Sequence, residues 1–122
     1  MKRLPLILQM AVRVLGLAVL VLGIFLWRHG ETHQSLEHAH ESLAILLVLA
    51  VFALAFLAAK AKVNTTFIAV AVIWGLAAPI LGFAQTGMNG GPSVAVKIVH
   101  LIVGLGLIGL GEGLGARIKR AS

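Results

Sequence analysis

The sequence predicts an all-α integral membrane protein: a single antiparallel four-helix bundle with both termini cytoplasmic. Of its 122 residues, 60% are apolar and only 11% are charged, and the mean hydropathy is +1.05. Soluble globular domains carry about 25% charged residues, so this composition excludes an ordinary soluble fold. Four apolar segments approach the roughly 20 residues that a helix needs to cross a bilayer. The short connections between them favour an up-down-up-down arrangement.

Polar residues and turn formers bound each segment. The predicted spans, in chain order, are about 4–27, 35–60, 66–84 and 94–116. The residues after the first span, Trp27-Arg28-His29-Gly30, offer no small-residue cleavage site, so we expect a retained anchor rather than a secretory signal. The basic turn Lys60-Ala61-Lys62-Val63-Asn64 precedes the third span, and the Gly- and Asn-containing loop 85–92 follows it.

Lysine and arginine are distributed unequally between the two ends of these spans. Only Arg28 and Lys97 lie near one end, while the other end carries Lys2, Arg3, Lys60, Lys62, Arg117, Lys119 and Arg120. Short cytoplasmic loops are enriched in Lys and Arg, which predicts cytoplasmic termini and an extracytoplasmic histidine-rich loop, as in a prokaryotic plasma membrane. The net charge of +6 therefore indicates topology and membrane lipid as a neighbour, and not a nucleic-acid partner.

The chain contains no cysteine, which excludes disulfides, zinc–thiolate sites, iron–sulfur clusters, thiol nucleophiles and covalent c-type haem. Histidine is the main remaining soft ligand. Four of the five histidines fall at the outer end of the second span or in the loop before it: His29, His33, His38 and His40. The fifth, His100, lies in the fourth span, which also starts from the outer side.

His40 and His100 are predicted to lie at matching depth. A helix rises 1.5 Å per residue, so His100 lies roughly 10 Å inward from Ser93, and His40 roughly 12 Å inward from a helix start near Thr32. Angular spacing places His29, His33, Glu37 and His40 on one face, with His38 pointing away.

One face of the fourth span carries Lys97, His100, Gly104, Leu107 and Gly111. The two glycines of this face lie below His100 and would leave a slot beside its imidazole. Two facing imidazoles above small residues suit a flat macrocycle, and histidine is a common axial ligand of haem iron. We therefore predict haem b with His40 and His100 as axial ligands, Gly104 and Gly111 beside it, and Arg28 and Lys97 near its propionates.

Further polar and small residues of the spans have predicted roles. Arg13 and Glu112 lie near the cytoplasmic ends of neighbouring helices and are expected to form a partly buried ion pair. Gly109 and Gly113 have the spacing that lets membrane helices approach closely, within the bundle or across a dimer. The glycines lack the strand-then-helix context of a dinucleotide fingerprint.

Three short stretches carry a resemblance to a known family. They are Glu37-His38-Ala39-His40, Pro79-Ile80-Leu81-Gly82-Phe83-Ala84-Gln85-Thr86 and Val96-Lys97-Ile98-Val99-His100-Leu101. They resemble the Glu-x-x-His, Leu-Gly-x-x-x-Thr and His-Leu motifs of the heme A synthase family, over one half of its eight-helix members. The resemblance implies haem ligation by His40 and His100, an acidic Glu37 close to the haem, and a homodimer of half-size chains. The chain departs from the family at Glu41, where Arg is usual, and in lacking the outer-loop cysteine pair.

Three functions are compatible with this pattern. The first is one-electron transfer through a bis-histidine haem, with a quinone or another redox protein as exchange partner. The second is a half-size heme A synthase-like enzyme that acts on its bound haem with the help of Glu37. The third is a divalent-metal transporter or sensor that uses His29, His33, Glu37 and His38, since imidazole suits zinc, copper and nickel.

Overall fold

The computed structural model describes residues 3–29, 34–86, 88 and 91–122. Four helices make up nearly all of this: α1 (Leu4–His29), α2 (Gln34–Lys60), α3 (Thr65–Thr86) and α4 (Val94–Ala121). All four are long and apolar enough to cross a membrane. The predicted all-α class is confirmed, as are four helices of sufficient length and apolar character to cross a membrane. α4 continues beyond the predicted end near 116, because basic residues in the last helical turn interact favourably with the helix dipole.

The helix ends are fixed by local hydrogen bonds. α2 ends in the basic turn, where Lys62 has a φ of 61° and the Val63 amide donates to the Ala58 carbonyl at 3.0 Å. The Asn64 Oδ1 atom then accepts from the Thr66 amide at 2.8 Å and caps α3. The Ser93 Oγ atom accepts from the Val96 amide at 3.3 Å and caps α4. These bonds satisfy backbone groups that a helix end leaves unpaired.

The core is packed tightly in only one half of the bundle. α2 contacts each of the other three helices, and its buried residues lie between Leu47 and Ala58. The largest fully buried side chains of the core are Val12, Val51, Leu54 and Leu114. In contrast, residues 34–46 of α2 include no fully buried residue. The first half of α2 therefore faces a looser part of the bundle.

Glycines bring α4 close to its neighbours in the packed half. A Cβ atom at Gly111 would lie 3.0 Å from Val12 Cγ1 and 3.2 Å from Val51 Cγ2. A Cβ atom at Gly106 would lie 2.7 Å from Trp74 Nε1, which donates to the Val103 carbonyl at 2.8 Å. Gly109, in contrast, has open space around it. The close-packing role predicted for the glycines of α4 therefore holds for Gly106 and Gly111 but not for Gly109.

A polar cluster joins α1 to α4 and confirms the predicted ion pair. Arg13 Nε lies 2.6 Å from Glu112 Oε1, and Arg13 Nη2 donates to Oε2 at 3.0 Å. Gln9 Nε2 donates to the same Oε2 atom at 2.8 Å. The Glu112 side chain is 30% exposed and that of Arg13 58% exposed. The carboxylate thus receives three donors from α1, which ties the two helices together at one depth.

Replacing Gly106 by Ala is expected to destabilise the bundle, because the added methyl group must displace the hydrogen-bonded Trp74 ring. Overpacking of this kind costs about 1–3 kcal/mol. Gly109→Ala is the matched control in the same helix and is expected to leave stability unchanged or raise it by up to about 1 kcal/mol. Thermal unfolding in detergent, followed by tryptophan fluorescence, measures both. Equal stability of the two variants would contradict this account of Gly106.

Exchanging the charges of the ion pair tests whether Arg13 and Glu112 support each other. Arg13→Glu and Glu112→Arg are each expected to lower the Tm, since each variant places like charges side by side. The double variant is expected to recover most of the loss because the pair is restored with its direction reversed. If the Tm of the double variant is no higher than that of the less stable single variant, the ion pair does not connect the helices.

Candidate functional site

A cavity of about 540 Å³ opens in the loosely packed half of the bundle. All four helices line it, with Val19 and Gly23 from α1 and Gly82 from α3. The polar or small residues that α2 and α4 contribute include Glu37, His40, Glu41, Lys97, His100 and Gly104. Cofactor pockets usually measure about 300–1,000 Å³ and combine an apolar wall with a few polar groups. The cavity has this size and character.

His40 is held in one orientation by the backbone of α1. Its Nδ1 atom lies 3.0 Å from the carbonyl oxygen of Val19. A carbonyl can only accept, so Nδ1 carries the proton and Nε2 keeps a free lone pair. Gly23 makes room for the ring, since a Cβ atom there would lie 3.1 Å from His40 Cε1. Histidines that bind metals usually donate their other N–H in this way.

His100 is half-buried, and one of its nitrogens is buried without a hydrogen-bond partner. Its Nδ1 atom is the sole buried side-chain nitrogen or oxygen without a partner within the described part of the chain. Gly82 lies against the ring, where a Cβ atom would be 3.4 Å from His100 Cε1. More than about 90% of buried polar groups are paired in folded proteins. An unpaired ring nitrogen beside a cavity is therefore available to bind a ligand.

The two imidazoles face each other as the sequence predicts. Their ring centroids are 6.3 Å apart, and the ring planes meet at 68°. Imidazole nitrogen binds a metal ion at about 2 Å, so two rings on opposite sides of one ion have centroids roughly 6 Å apart. The observed separation of the ring centroids is close to this value. Within the described ranges, no group of three or more His, Asp or Glu residues could hold a metal ion.

The other predicted site residues are only partly brought together. Gly104 lines the cavity and has open space around it, whereas Gly111 is absent from the cavity lining because Val12 and Val51 fill its surroundings. Lys97 lines the cavity, with its Nζ atom 5.8 Å from the centre of the Trp27 ring. Arg28 is exposed and does not line the cavity.

The remaining acidic and histidine residues divide between the cavity and the surface. Glu37 is half-buried and lines the cavity. His38 is exposed and points away from the cavity, as predicted, with Nδ1 3.8 Å from Glu41 Oε2. The His29 ring lies 4.3 Å from that of Phe25. His33 lies outside the described residues. The structure does not assemble His29, Glu37 and His38 into a metal site.

Sequence reasoning missed three contributors to the site. Gly23 and Gly82 leave space for the two imidazoles, and the Val19 carbonyl orients His40. Whether a glycine or a carbonyl contributes to the site depends on which residue of another helix lies opposite it. The one available signal was the presence of lone glycines in long apolar segments, which often mark close approaches.

Comparison with family models, with curated proteins and with solved structures finds no match for this chain.

Replacing His100 by Leu is expected to preserve or raise the stability of the chain purified without added ligand. The substitution removes a buried nitrogen that has no partner, and such a group costs about 1–3 kcal/mol. His40→Leu is the matched control and is expected to lower stability by about 1 kcal/mol, because it removes the hydrogen bond to Val19. Thermal unfolding in detergent compares the two. A marked loss of stability in His100→Leu alone would show that this nitrogen has a structural partner.

Proposed function

We propose that this chain is a membrane-embedded b-type haem protein in which His40 and His100 ligate the iron from opposite sides. The observation that carries this proposal is the pair of facing imidazoles, 6.3 Å apart across a cavity formed by four helices. The free lone pair of His40 Nε2 and the unpartnered His100 Nδ1 atom support it, because each ring offers a nitrogen with no other role. Histidine is the commonest protein ligand of haem iron in such sites.

The proposal includes an orientation in the membrane. The helices form an antiparallel bundle with both termini on the cytoplasmic side, where most of the lysines and arginines lie. The cavity then lies in the outer half of the bilayer. Its polar mouth, with Glu37, Glu41 and Lys97 among the lining residues, opens toward the outer interface, where a quinone or a redox protein could approach.

Several residues that line the cavity have a defined task in this proposal. The Val19 carbonyl holds His40 in the tautomer that leaves Nε2 unprotonated. Gly104 leaves space beside His100, and the Lys97 ammonium offers a charge for a propionate. Apolar residues around the histidines exclude water, which favours a stable low-dielectric site. When bound, haem would supply one-electron oxidation and reduction, and His40 and His100 would hold its iron.

A half-size heme A synthase-like enzyme is the second candidate. Glu37 favours it, because this half-buried carboxylate lines the same cavity as His40 and His100. In that case the haem would be the substrate, held by His40 and His100, and Glu37 would be the acidic group beside it. The two candidates share the histidine pair but differ in whether the bound haem changes chemically.

The purified protein is expected to show a Soret band after expression with ample haem. His40→Ala and His100→Ala are each expected to abolish or shift this band, because each removes an axial ligand. His38→Ala is the matched control and is expected to leave the spectrum unchanged, since its ring points away from the cavity. Absence of a Soret band in the unsubstituted chain would contradict both candidates. Pyridine hemochrome analysis and mass spectrometry then separate a resident haem b from a converted one.

Filling the cavity is expected to prevent haem binding without removing a ligand. Gly104→Leu places a side chain in the open space beside His100, whereas Gly109→Leu places one in open space outside the cavity. We expect Gly104→Leu to retain less than about a tenth of the haem, a loss of about 1.4 kcal/mol in binding. Haem content per protein, measured from the hemochrome, gives the comparison. Equal haem content in the two variants would exclude this cavity as the site.

A further inference from the structure

A shallow cleft lies at the opposite end of the bundle from the histidine cavity. Asn64, Thr66, Phe67, Val70 and Arg117 line it, where the N-terminal turn of α3 meets the C-terminal part of α4. Arg117 is four residues before the end of α4 at Ala121, about 6 Å along the helix axis. In a chain that spans a bilayer, this level corresponds to the lipid headgroups.

The guanidinium of Arg117 is held in the cleft by three features. Its Cζ atom lies 3.7 Å from the centre of the Phe67 ring, and its Nη1 atom donates to the Gly113 carbonyl at 3.3 Å. Gly113 leaves space for the Phe67 ring on which the guanidinium stacks, since a Cβ atom at Gly113 would lie 2.7 Å from Phe67 Cζ. Stacking on an aromatic ring orients an arginine before any ligand binds.

Arg117 has unused hydrogen-bonding capacity. An arginine side chain carries five N–H groups, and the bond to Gly113 uses one of them. No carboxylate is paired with Arg117 in the ranges that the structure describes. The sequence contains no acidic residue in 60–66 or 113–122, while Lys60, Lys62, Lys119 and Arg120 add positive charge to this end. The cleft therefore favours an anion.

The outer surface of α3 indicates which kind of anion fits. From the cleft, exposed apolar side chains continue along the helix through Val70, Ile73 and Ile80, the last two each 65% exposed. An apolar track directly below a cationic cleft matches an acyl chain below a phosphate. Basic clefts between membrane helices on the cytoplasmic side are typical binding sites for anionic lipid headgroups.

We propose that this cleft binds the phosphate of an anionic phospholipid, with Arg117 as the charged contact. The planar guanidinium suits two parallel hydrogen bonds to phosphate oxygens. The Thr66 hydroxyl donates a further bond from the N-terminal turn of α3. The Asn64 Oδ1 atom already caps that turn, so the anion is recognised by side chains and not by the helix end. The acyl chains lie along the exposed surface of α3.

Native mass spectrometry of the full chain tests the proposal. The protein is released from detergent with equimolar phosphatidylglycerol and phosphatidylcholine of identical acyl chains, and the bound lipids are counted. Phosphatidylglycerol adducts are expected to dominate. Arg117→Gln is expected to lower them at least about tenfold, because it removes the charged hydrogen bonds to the phosphate. Thr66→Val, a change at an exposed position, is expected to lower them at least about twofold through one lost hydrogen bond.

Arg120→Gln is the matched control, because it removes the same charge from the same helix end at an exposed position outside the cleft. It is expected to change the adducts by less than about twofold, because an exposed charge outside the cleft makes no direct hydrogen bond to the bound phosphate. Equal losses in Arg117→Gln and Arg120→Gln would overturn the proposal in favour of diffuse attraction to the surface charge. Removal of the adducts by millimolar inorganic phosphate would overturn it in favour of a free-anion site. If Arg117→Gln does not fold, the loss of phosphatidylglycerol adducts in Thr66→Val still tests the cleft, and an unchanged adduct count in that variant would contradict the proposal.

Discussion

A polar atom surrounded by hydrocarbon has no water to bind, so it must find its partner within the protein. In this chain, that requirement determines how the helices are joined. The Trp74 indole donates from α3 to α4, Glu112 receives donors from α1, and His40 joins α2 to α1. Each bond therefore fixes a pair of helices at a common depth. His100 Nδ1 departs from the rule among the described residues, and it does so beside the cavity, where a ligand could satisfy it.

The two halves of the bundle differ because small and large residues are distributed unevenly. In one half, Gly111 lets Val12 and Val51 approach α4, and Leu54 and Leu114 are fully buried. In the other half, the first turns of α2 are polar, and no residue from 34 to 46 is fully buried. Tight packing in the first half keeps the helices in position, so the second half can hold a cavity without collapsing. The packed core and the cavity thus occupy different segments of the same four helices.

Much of this architecture follows from the sequence because it depends on properties repeated along each helix. Hydropathy predicts the four helices, and residue spacing predicts that His40 faces His100 and that Arg13 meets Glu112. The details that sequence reasoning did not resolve depend on partners from other helices. Gly104 and Gly111 lie on one face of α4, yet Val12 and Val51 occupy the space beside Gly111 alone. Likewise, charge alone does not separate Arg28 from Lys97, of which only the lysine lines the cavity.

The hydrogen bond from His40 to Val19 has a consequence for how this protein can change over generations. Its acceptor is a main-chain carbonyl, which every amino acid carries, so no substitution at position 19 deletes it while α1 stays helical. Selection that preserves the orientation of His40 therefore leaves the identity of this position free to drift among apolar residues. A site anchored in this way can persist in descendants whose sequences have diverged too far to be aligned, provided that the histidines and the glycines beside them remain.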